Sequence, residues 1–329
     1  LVDEPDNADA LLLRAGLRVA DKKFDDAVAD VRTVLRKEPE NARAMLLLAR
    51  THALMNDGVL AKDAYRRLLA ADPKNADAPR ELAIIEALEK NYQGAEDVLR
   101  ERLKVEPADI DASGRLIELL GAQKQWAKAE EEAKRLAALP DDKGLGQFQL
   151  ARLYQAQKKN TEAVAAYRKA LERNPQLVTA LAGAAAVLTG AGQADAALAE
   201  IDAFLKANPD NLTAKFLRAG AVAGKGDKAA AARIFEDIVR DKPDASMAWA
   251  ALANLNRDDP AARIEAYRRG LAANPGNAEL GLLLGTEYEQ ARRFEEAIAH
   301  YEELLKANPA IEVATNNLAS LLLDYRKDP

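Results

Sequence analysis

The side chains that most often carry catalysis are scarce in this chain. The only histidines are His52 and His300, the only serines are Ser113, Ser246 and Ser320, and there is no cysteine. A nucleophile needs a base within hydrogen-bond reach, and this spacing offers no such pair. Two histidines are also too few for a typical zinc site. We therefore predict a protein that is not an enzyme and that holds no metal and no cofactor.

Acidic residues and glycine pairs are the two remaining candidates for chemistry. The stretches AEEEAKR and YEELLK place carboxylates beside Lys and Arg, as on a solvated helix face, although a catalytic carboxylate pair stays open as an alternative. The glycine pairs in GLGQFQ (from Gly144) and GKGDKA (from Gly224) lack the third glycine and the preceding strand of a phosphate-binding loop. We expect both pairs to serve turns.

The charge of the chain argues against two classes of partner, and its hydropathy argues against a membrane span. The net charge of −6 and the pI near 5.3 provide no basic surface, which argues against nucleic acid or an anionic membrane as the main partner. The longest uncharged stretch, residues 176–194, is too rich in Ala, Gly, Thr and Gln for a membrane span, so we predict a buried helix there.

Prolines divide the chain at a regular interval. They recur every 32 to 35 residues, at Pro5, Pro39, Pro73, Pro107, Pro140, Pro175, Pro209, Pro243, Pro275 and Pro309. Proline ends a helix, and an Asn or Asp two residues later can cap the next one. Six such caps are predicted, at Asn7, Asn41, Asn75, Asp109, Asn211 and Asn277.

Between successive prolines, apolar residues recur at helical spacing in two runs, so each repeat is predicted to be a helical hairpin. We place all of them in a single domain over residues 1–329 and number them as repeats 1 to 9. Their boundaries are 8–41, 42–75, 76–109, 110–143, 144–177, 178–211, 212–245, 246–277 and 278–311, with partial repeats at 1–7 and 312–329.

The same residue types recur at fixed positions within the repeats. Position 1 of a repeat is the third residue after the preceding proline, or the fourth residue after Pro140. Position 8 is small in nine of ten cases, and position 20 is alanine except at Arg263, as expected where two helices approach closely. Position 7 is mostly leucine. Aromatic residues at position 17 are predicted to fill the core, namely Phe24, Tyr92, Trp126 and Phe294.

This pattern resembles the tetratricopeptide repeat (TPR) family over the whole chain. The resemblance implies an all-α solenoid, a right-handed superhelix of about nine hairpins, that acts as a non-catalytic scaffold for protein or peptide partners. The composition and the segment NNLASLLLDY are similar to long bacterial TPR proteins, including those of envelope and exopolysaccharide export assemblies. The lack of cysteine leaves the bacterial cytoplasm and the periplasm open, with an association with the envelope favoured.

The resemblance also implies that ligands contact the first helices, mostly at positions 2, 5, 6, 9, 12 and 13. The predicted groove residues are Arg50, Phe148, Arg152, Ala182, Ala186, Phe216, Gly220, Asn254 and Asn316. Phe148 and Phe216 would wall an apolar trough, with Arg152 and Asn254 as polar anchors for an amphipathic helix or an extended peptide. The alternative is that both phenylalanines pack between neighbouring hairpins.

Two irregularities and two cut ends complete the pattern. Residues 138–146 shift the proline by one, and residues 254–263 are two residues short, so we expect the solenoid to bend near both. Both ends cut a repeat, from which we infer an excerpt of a longer protein. A regulatory or targeting segment of a larger enzyme and a self-assembling array remain alternative functions.

Overall fold

A computed structural model describes residues 7–140 and 143–326, and every element in those ranges is helical. They form nineteen α-helices and no strand, which confirms the predicted all-α solenoid class. The chain divides into two compact units, Leu1–Asn174 and Pro175–Pro329, here called the first and the second unit. Most of the partial repeat 1–7, the final residues 327–329, and two residues of the irregular stretch 138–146 lie outside the described residues.

The first unit contains five helical hairpins. Its helices are α1 (Ala8–Ala20), α2 (Phe24–Lys37), α3 (Ala42–Leu54), α4 (Gly58–Ala71), α5 (Asp77–Leu88), α6 (Tyr92–Val105), α7 (Ile110–Ala122), α8 (Trp126–Ala138), α9 (Leu145–Ala156) and α10 (Asn160–Arg173).

The second unit contains four hairpins and one further helix. Its helices are α11 (Val178–Gly190), α12 (Ala194–Ala207), α13 (Leu212–Gly224), α14 (Lys228–Asp241), α15 (Ser246–Leu255), α16 (Pro260–Ala273), α17 (Ala278–Gln290), α18 (Phe294–Ala307) and α19 (Glu312–Leu321). A π-helical turn, Leu322–Arg326, follows α19.

Side-chain caps begin the helices where the sequence predicts them. All six predicted Asn and Asp residues accept a hydrogen bond from a backbone N–H of the first helical turn, over 2.9 to 3.1 Å. Asn75 accepts two, from Asp77 and Ala78. These bonds satisfy amides that have no partner within the helix, which explains why a helix starts soon after six of the proline stops.

The turn inside each hairpin depends on one residue with a left-handed backbone at position 15. The residues with this backbone are Lys22, Asn56, Lys90, Lys124, Lys158, Gly192, Gly226 and Arg292. Repeat 8 has none among its described residues, because its two-residue deficit falls here. Its first helix, α15, has only 10 residues, and Asp259 then caps α16 by accepting from the amides of Ala261 and Ala262.

Small residues at positions 8 and 20 form the centre of each hairpin. Ala15 and Ala27 in repeat 1, and Ala219 and Ala231 in repeat 7, are fully buried. The expectation that the aromatic residues of position 17 fill the core is wrong for Tyr92. Its ring is 42% exposed because position 17 opens the second helix, at the rim of the hairpin.

Arg263, the exception at position 20, is matched by a second exception in the next repeat. Its guanidinium lies 2.5 Å from the carboxylate of Glu287. Glu287 occupies position 10, where the other repeats carry Leu, Ile, Val, Ala or Thr. Burial raises the pKa of Glu287, and the charge of Arg263 acts against that rise. The two unusual residues therefore compensate each other across the contact between α16 and α17.

Candidate functional site

Neither histidine takes part in a cluster that could do chemistry. His52 is buried, its Nδ1 has no hydrogen-bond partner among the described residues, and burial lowers its pKa. A ring nitrogen of His300 lies 2.8 Å from the carbonyl oxygen of Gly281. Within 7–140 and 143–326 no group of three or more His, Cys, Asp and Glu side chains could hold a metal ion.

The expectation that both glycine pairs serve turns holds in part, because Gly226 lies in a hairpin turn and Gly144 precedes α9, whereas Gly146 lies inside α9 and serves close packing. Gly144 has a φ of +69°, and a Cβ there would collide with the carbonyl oxygen of Ala170. A Cβ on Gly146 would lie 2.7 Å from the carbonyl oxygen of Leu136. In the second pair, Gly226 supplies the left-handed residue of its hairpin turn.

The two arginines among the predicted groove residues, Arg50 and the predicted anchor Arg152, are exposed and already paired. Arg50 contacts Asp77 over 3.2 Å, and Arg152 contacts Glu118 over 2.9 Å, in each case across neighbouring repeats. Exposed pairs of this kind contribute about 0–1 kcal/mol. A carboxylate of a partner can therefore compete for either guanidinium at little cost.

A pocket of about 330 Å³ adjoins Arg152 in the first unit. Trp126 at the start of α8 forms one wall, and Ile117 and Leu153 contribute apolar side chains from α7 and α9. The Arg152–Glu118 pair lines the same pocket. An apolar side chain of a ligand could enter here beside a charged group, so Trp126 is a candidate site residue that sequence analysis assigned only to the core.

The two predicted trough walls stack on the second helices of their own hairpins. The ring centroids of Phe148 and Tyr167 lie 5.8 Å apart, and those of Phe216 and Phe235 lie 5.4 Å apart. Phe148 belongs to the first unit and Phe216 to the second, and each is half-buried. Each ring thus packs against the second helix of its own hairpin and keeps part of its surface exposed.

The first helices of repeats 6 to 8 share a surface without charge in the second unit. Their residues at positions 2, 5 and 9 are at least partly exposed and uncharged: Thr179, Ala182, Ala186, Thr213, Phe216, Gly220, Met247, Ala250 and Asn254. We call this set the uncharged face. It contains five of the nine predicted groove residues.

The only charged residues on these three helices turn away from that face. Lys215 and Arg218 contact Asp241 and Asp202, which lie on the second helices α14 and α12. Both cations of these three helices therefore pair with second-helix carboxylates. An apolar partner could cover the uncharged face without stripping water from an unpaired charge.

Gly220 gives the uncharged face an open floor. A Cβ added there would meet no atom within 4 Å, and the same holds for Gly190 at the end of α11. Packing within the described residues therefore does not require glycine, although glycine in an exposed helix interior costs about 1 kcal/mol relative to alanine. The missing side chain allows the backbone of a partner to approach α13 closely.

The predicted asparagines are exposed and available for hydrogen bonding. Neither Asn254 on α15 nor Asn316 on α19 forms a side-chain hydrogen bond with any residue in the described part of the chain. A free carboxamide can both donate to and accept from a peptide backbone. Met247, which is 71% exposed at position 2 of the same helix as Asn254, is not among the predicted groove residues, all of which lie at positions 5 and 9.

Three solved structures illustrate what the chain is similar to. A thermophilic TPR protein of Thermus thermophilus is 23% identical, covering 56% of this chain and all of its own, with a TM-score of 0.38. PilF of Pseudomonas aeruginosa is 20% identical, covering 65% of this chain and 97% of its own, at 0.42. A TPR protein of Parabacteroides merdae is 16% identical, covering 85% and 98%, at 0.41. A search of curated proteins found no match.

Family assignment rests on the sequence of the repeats themselves. Three sequence models described as tetratricopeptide repeat match the chain, over residues 18–83, over 146–177, and over both 187–246 and 282–325. These matches together cover more than half of the chain, and each covers hairpins with the buried small residues described above. The described helices include none long and apolar enough to cross a bilayer. The chain belongs to the tetratricopeptide repeat family.

Proposed function

We propose that this protein is a non-catalytic scaffold whose uncharged face binds a helix or an extended segment of a partner protein. TPR proteins in general are scaffolds for protein interaction. The observation that carries the proposal is the lack of charge at positions 2, 5 and 9 of the first helices of repeats 6 to 8, where every residue is at least partly exposed. Phe216 and Met247 offer apolar contact area there, and Asn254 offers hydrogen bonds.

The partner segment that fits this face is itself apolar on one side. Half-buried Phe216 presents part of its ring, and Met247 presents a flexible thioether that adapts to irregular partners. Gly220, one turn after Phe216 on α13, leaves open space for a backbone or a small side chain. Groove recognition of an amphipathic helix uses this combination of apolar contact and close approach.

The paired arginines of the first unit provide a second, more polar contact region on the same chain. Arg152 borders the pocket with Trp126, and Arg50 lies on α3. We place the partner in a bacterial envelope or exopolysaccharide export assembly, on the support of the Ala-, Arg- and Asp-rich composition and of residues 316–325 alone.

A substitution that blocks the uncharged face without disturbing the fold tests the proposal. Gly220→Trp projects an indole from a position with open space, so thermal stability should be unchanged or higher. Gly276→Trp is the matched control, because Gly276 is exposed and has open space but lies in the loop between repeats 8 and 9.

The readout is the set of proteins that each variant captures from an extract of the native cell. We expect the partner to be retained by the wild type and by Gly276→Trp and lost with Gly220→Trp. If Gly220→Trp retains every protein that the wild type retains, the uncharged face is not the binding surface. If the captured protein is a further copy of this chain, self-assembly replaces the scaffold proposal.

A further inference from the structure

A pocket of about 430 Å³ lies between α4, α5 and α6 in the first unit. It is lined largely by second-helix residues and not by the first-helix positions that form the uncharged face. Its lining is mostly apolar and includes Leu69, Ala70, Pro73, Leu82 and Val98.

Position 4 of repeat 3 is a proline that faces the pocket. Repeats 1, 2, 6 and 8 bury a large apolar side chain at this position, at Leu11, Met45, Leu181 and Trp249, whereas repeats 4, 5, 7 and 9 have Ser113, Gln147, Lys215 and Gly281 there. Pro79 lines the pocket, and its short ring cannot reach as far as the four large side chains. The space that those four repeats fill with a side chain of their own is therefore left open in repeat 3.

Repeat 8 shows which side chain such a space accepts. Trp249 is 5% exposed, and its indole Nε1 donates a hydrogen bond to the carbonyl oxygen of Pro243 over 3.0 Å. Pro73 precedes Pro79 by the same six residues and lines the pocket. Nothing in the described part of the chain donates to the carbonyl of Pro73. An incoming indole would meet apolar walls and this acceptor.

The uncompensated charge at the pocket is negative. Its two arginines are already paired, Arg66 with Glu86 and Arg102 with Asp109, each over 2.6 Å. Asp97 is exposed, lines the same pocket, and forms no ion pair within the described ranges. A basic residue of the occupant would therefore gain a partner at Asp97, whereas an acidic one would be repelled.

We propose that this pocket is a second docking site, which takes a tryptophan side chain of a partner protein that carries Lys or Arg beside it. Glu101, one turn after Asp97 on α6, is already paired with Lys104, so the preference for a base comes from Asp97. The chain cannot offer its own tryptophans to another copy, because Trp249 is buried and Trp126 is half-buried. The site is separate from the uncharged face and does not depend on it.

Short fluorescein-labelled peptides serve as probes, with binding measured by fluorescence anisotropy. One contains a single tryptophan flanked by arginines, the second has glutamates in place of the arginines, and the third has alanine in place of the tryptophan. We expect the first peptide to bind and the other two to bind at least about tenfold more weakly. Pro79→Leu restores the large side chain of position 4, and it should abolish binding without lowering the melting temperature.

Two further variants make the result specific. Lys215→Leu makes the equivalent change at position 4 of repeat 7 and should leave peptide binding unaltered. Asp97→Lys changes only an exposed side chain, so the fold is retained, and it should reverse the preference between the arginine and glutamate peptides. The Asp97→Lys variant therefore tests the proposal even if Pro79→Leu fails to fold.

Three outcomes would overturn the proposal. They are undiminished binding to folded Pro79→Leu, equal affinity for the arginine and glutamate peptides, and equal affinity for the tryptophan and alanine peptides. Light scattering supplies a fourth, because a wild-type dimer that Pro79→Leu converts to a monomer would show that a second copy of this chain occupies the pocket.

Discussion

Removing Arg263 should reveal the energy stored in its pair with Glu287. Arg263→Ala restores the alanine found at position 20 of the other repeats, but it leaves a carboxylate that is 3% exposed without its counter-charge. That carboxylate escapes by binding a proton. Starting from an ordinary pKa of 4.5, protonation at pH 7 costs about 1.4 kcal/mol per pH unit, which limits the loss of stability to about 3 kcal/mol.

The predicted pH dependence follows from the direction of the shift. Burial raises the pKa of Glu287, and loss of Arg263 raises it further. The folded variant then binds a proton more readily than the unfolded chain, so its stability improves as pH falls through the raised pKa towards 4.5. The deficit of Arg263→Ala should therefore be largest near neutral pH and should shrink steadily on acidification.

The double change should rescue the single one. Arg263→Ala with Glu287→Leu replaces the pair by the residue types of the other repeats, and such replacements are neutral or stabilising by about 1–4 kcal/mol. Glu287→Leu alone should cost less than Arg263→Ala, because the arginine is 20% exposed and can reach solvent.

Urea unfolding followed by circular dichroism at pH 7 and pH 5 measures these differences. A nearest-neighbour fit is appropriate because stacked hairpins unfold as coupled units. The reasoning is refuted if Arg263→Ala lies within about 1 kcal/mol of the wild type at pH 7, or if its deficit is the same at both pH values. A double variant as unstable as Arg263→Ala would also contradict it.

Two further predictions concern glycine and histidine. Gly285→Ala should destabilise the folded protein by about 2 kcal/mol, because the added Cβ would collide with the buried ring of Tyr301. Gly220→Ala should stabilise it by about 1 kcal/mol, because a Cβ at that position meets open space. Equal melting temperatures for the two variants would contradict this. Burial lowers the pKa of His52 below 6.5, so the unfolded chain binds its proton more readily and stability falls as pH decreases below 6.5. His52→Leu should flatten the stability curve between pH 7 and pH 5, and parallel curves for variant and wild type would exclude the effect.

The fold could be predicted because the signals that set it are local. Proline stops, Asn and Asp caps and the small residues of positions 8 and 20 each act within one hairpin or at its border. The two-residue deficit of repeat 8 was visible for the same reason, and the structure places it in a short α15 that lacks the left-handed turn residue.

Contacts between repeats were harder to predict. Arg263 stands out in the sequence, but its partner Glu287 lies in the next repeat at a position that the pattern did not include. Similarly, Arg50 was expected to line the groove and Arg152 to anchor a ligand, and the structure pairs each with a carboxylate of an adjacent repeat. Long side chains reach several ångströms beyond their own helix, so the helical period alone does not show which neighbouring group a charged side chain contacts.

The candidate site was predicted in part for a related reason. The helical period correctly put Phe216 and Gly220 on the first helix, but it could not show that Phe216 leans back onto Phe235. It also could not show that the absence of charge extends across α11, α13 and α15 as an exposed surface, since exposure depends on how neighbouring hairpins pack.

Site-specific photo-crosslinking in the native cell tests the central claim most directly. A photoreactive phenylalanine analogue at Met247, which is 71% exposed on the uncharged face, should form a discrete adduct with one partner protein. The same analogue at Val59, which is 74% exposed at the start of α4, should not form that adduct. An adduct of equal yield from both positions, or none from Met247, would contradict the account that the uncharged face is the binding surface.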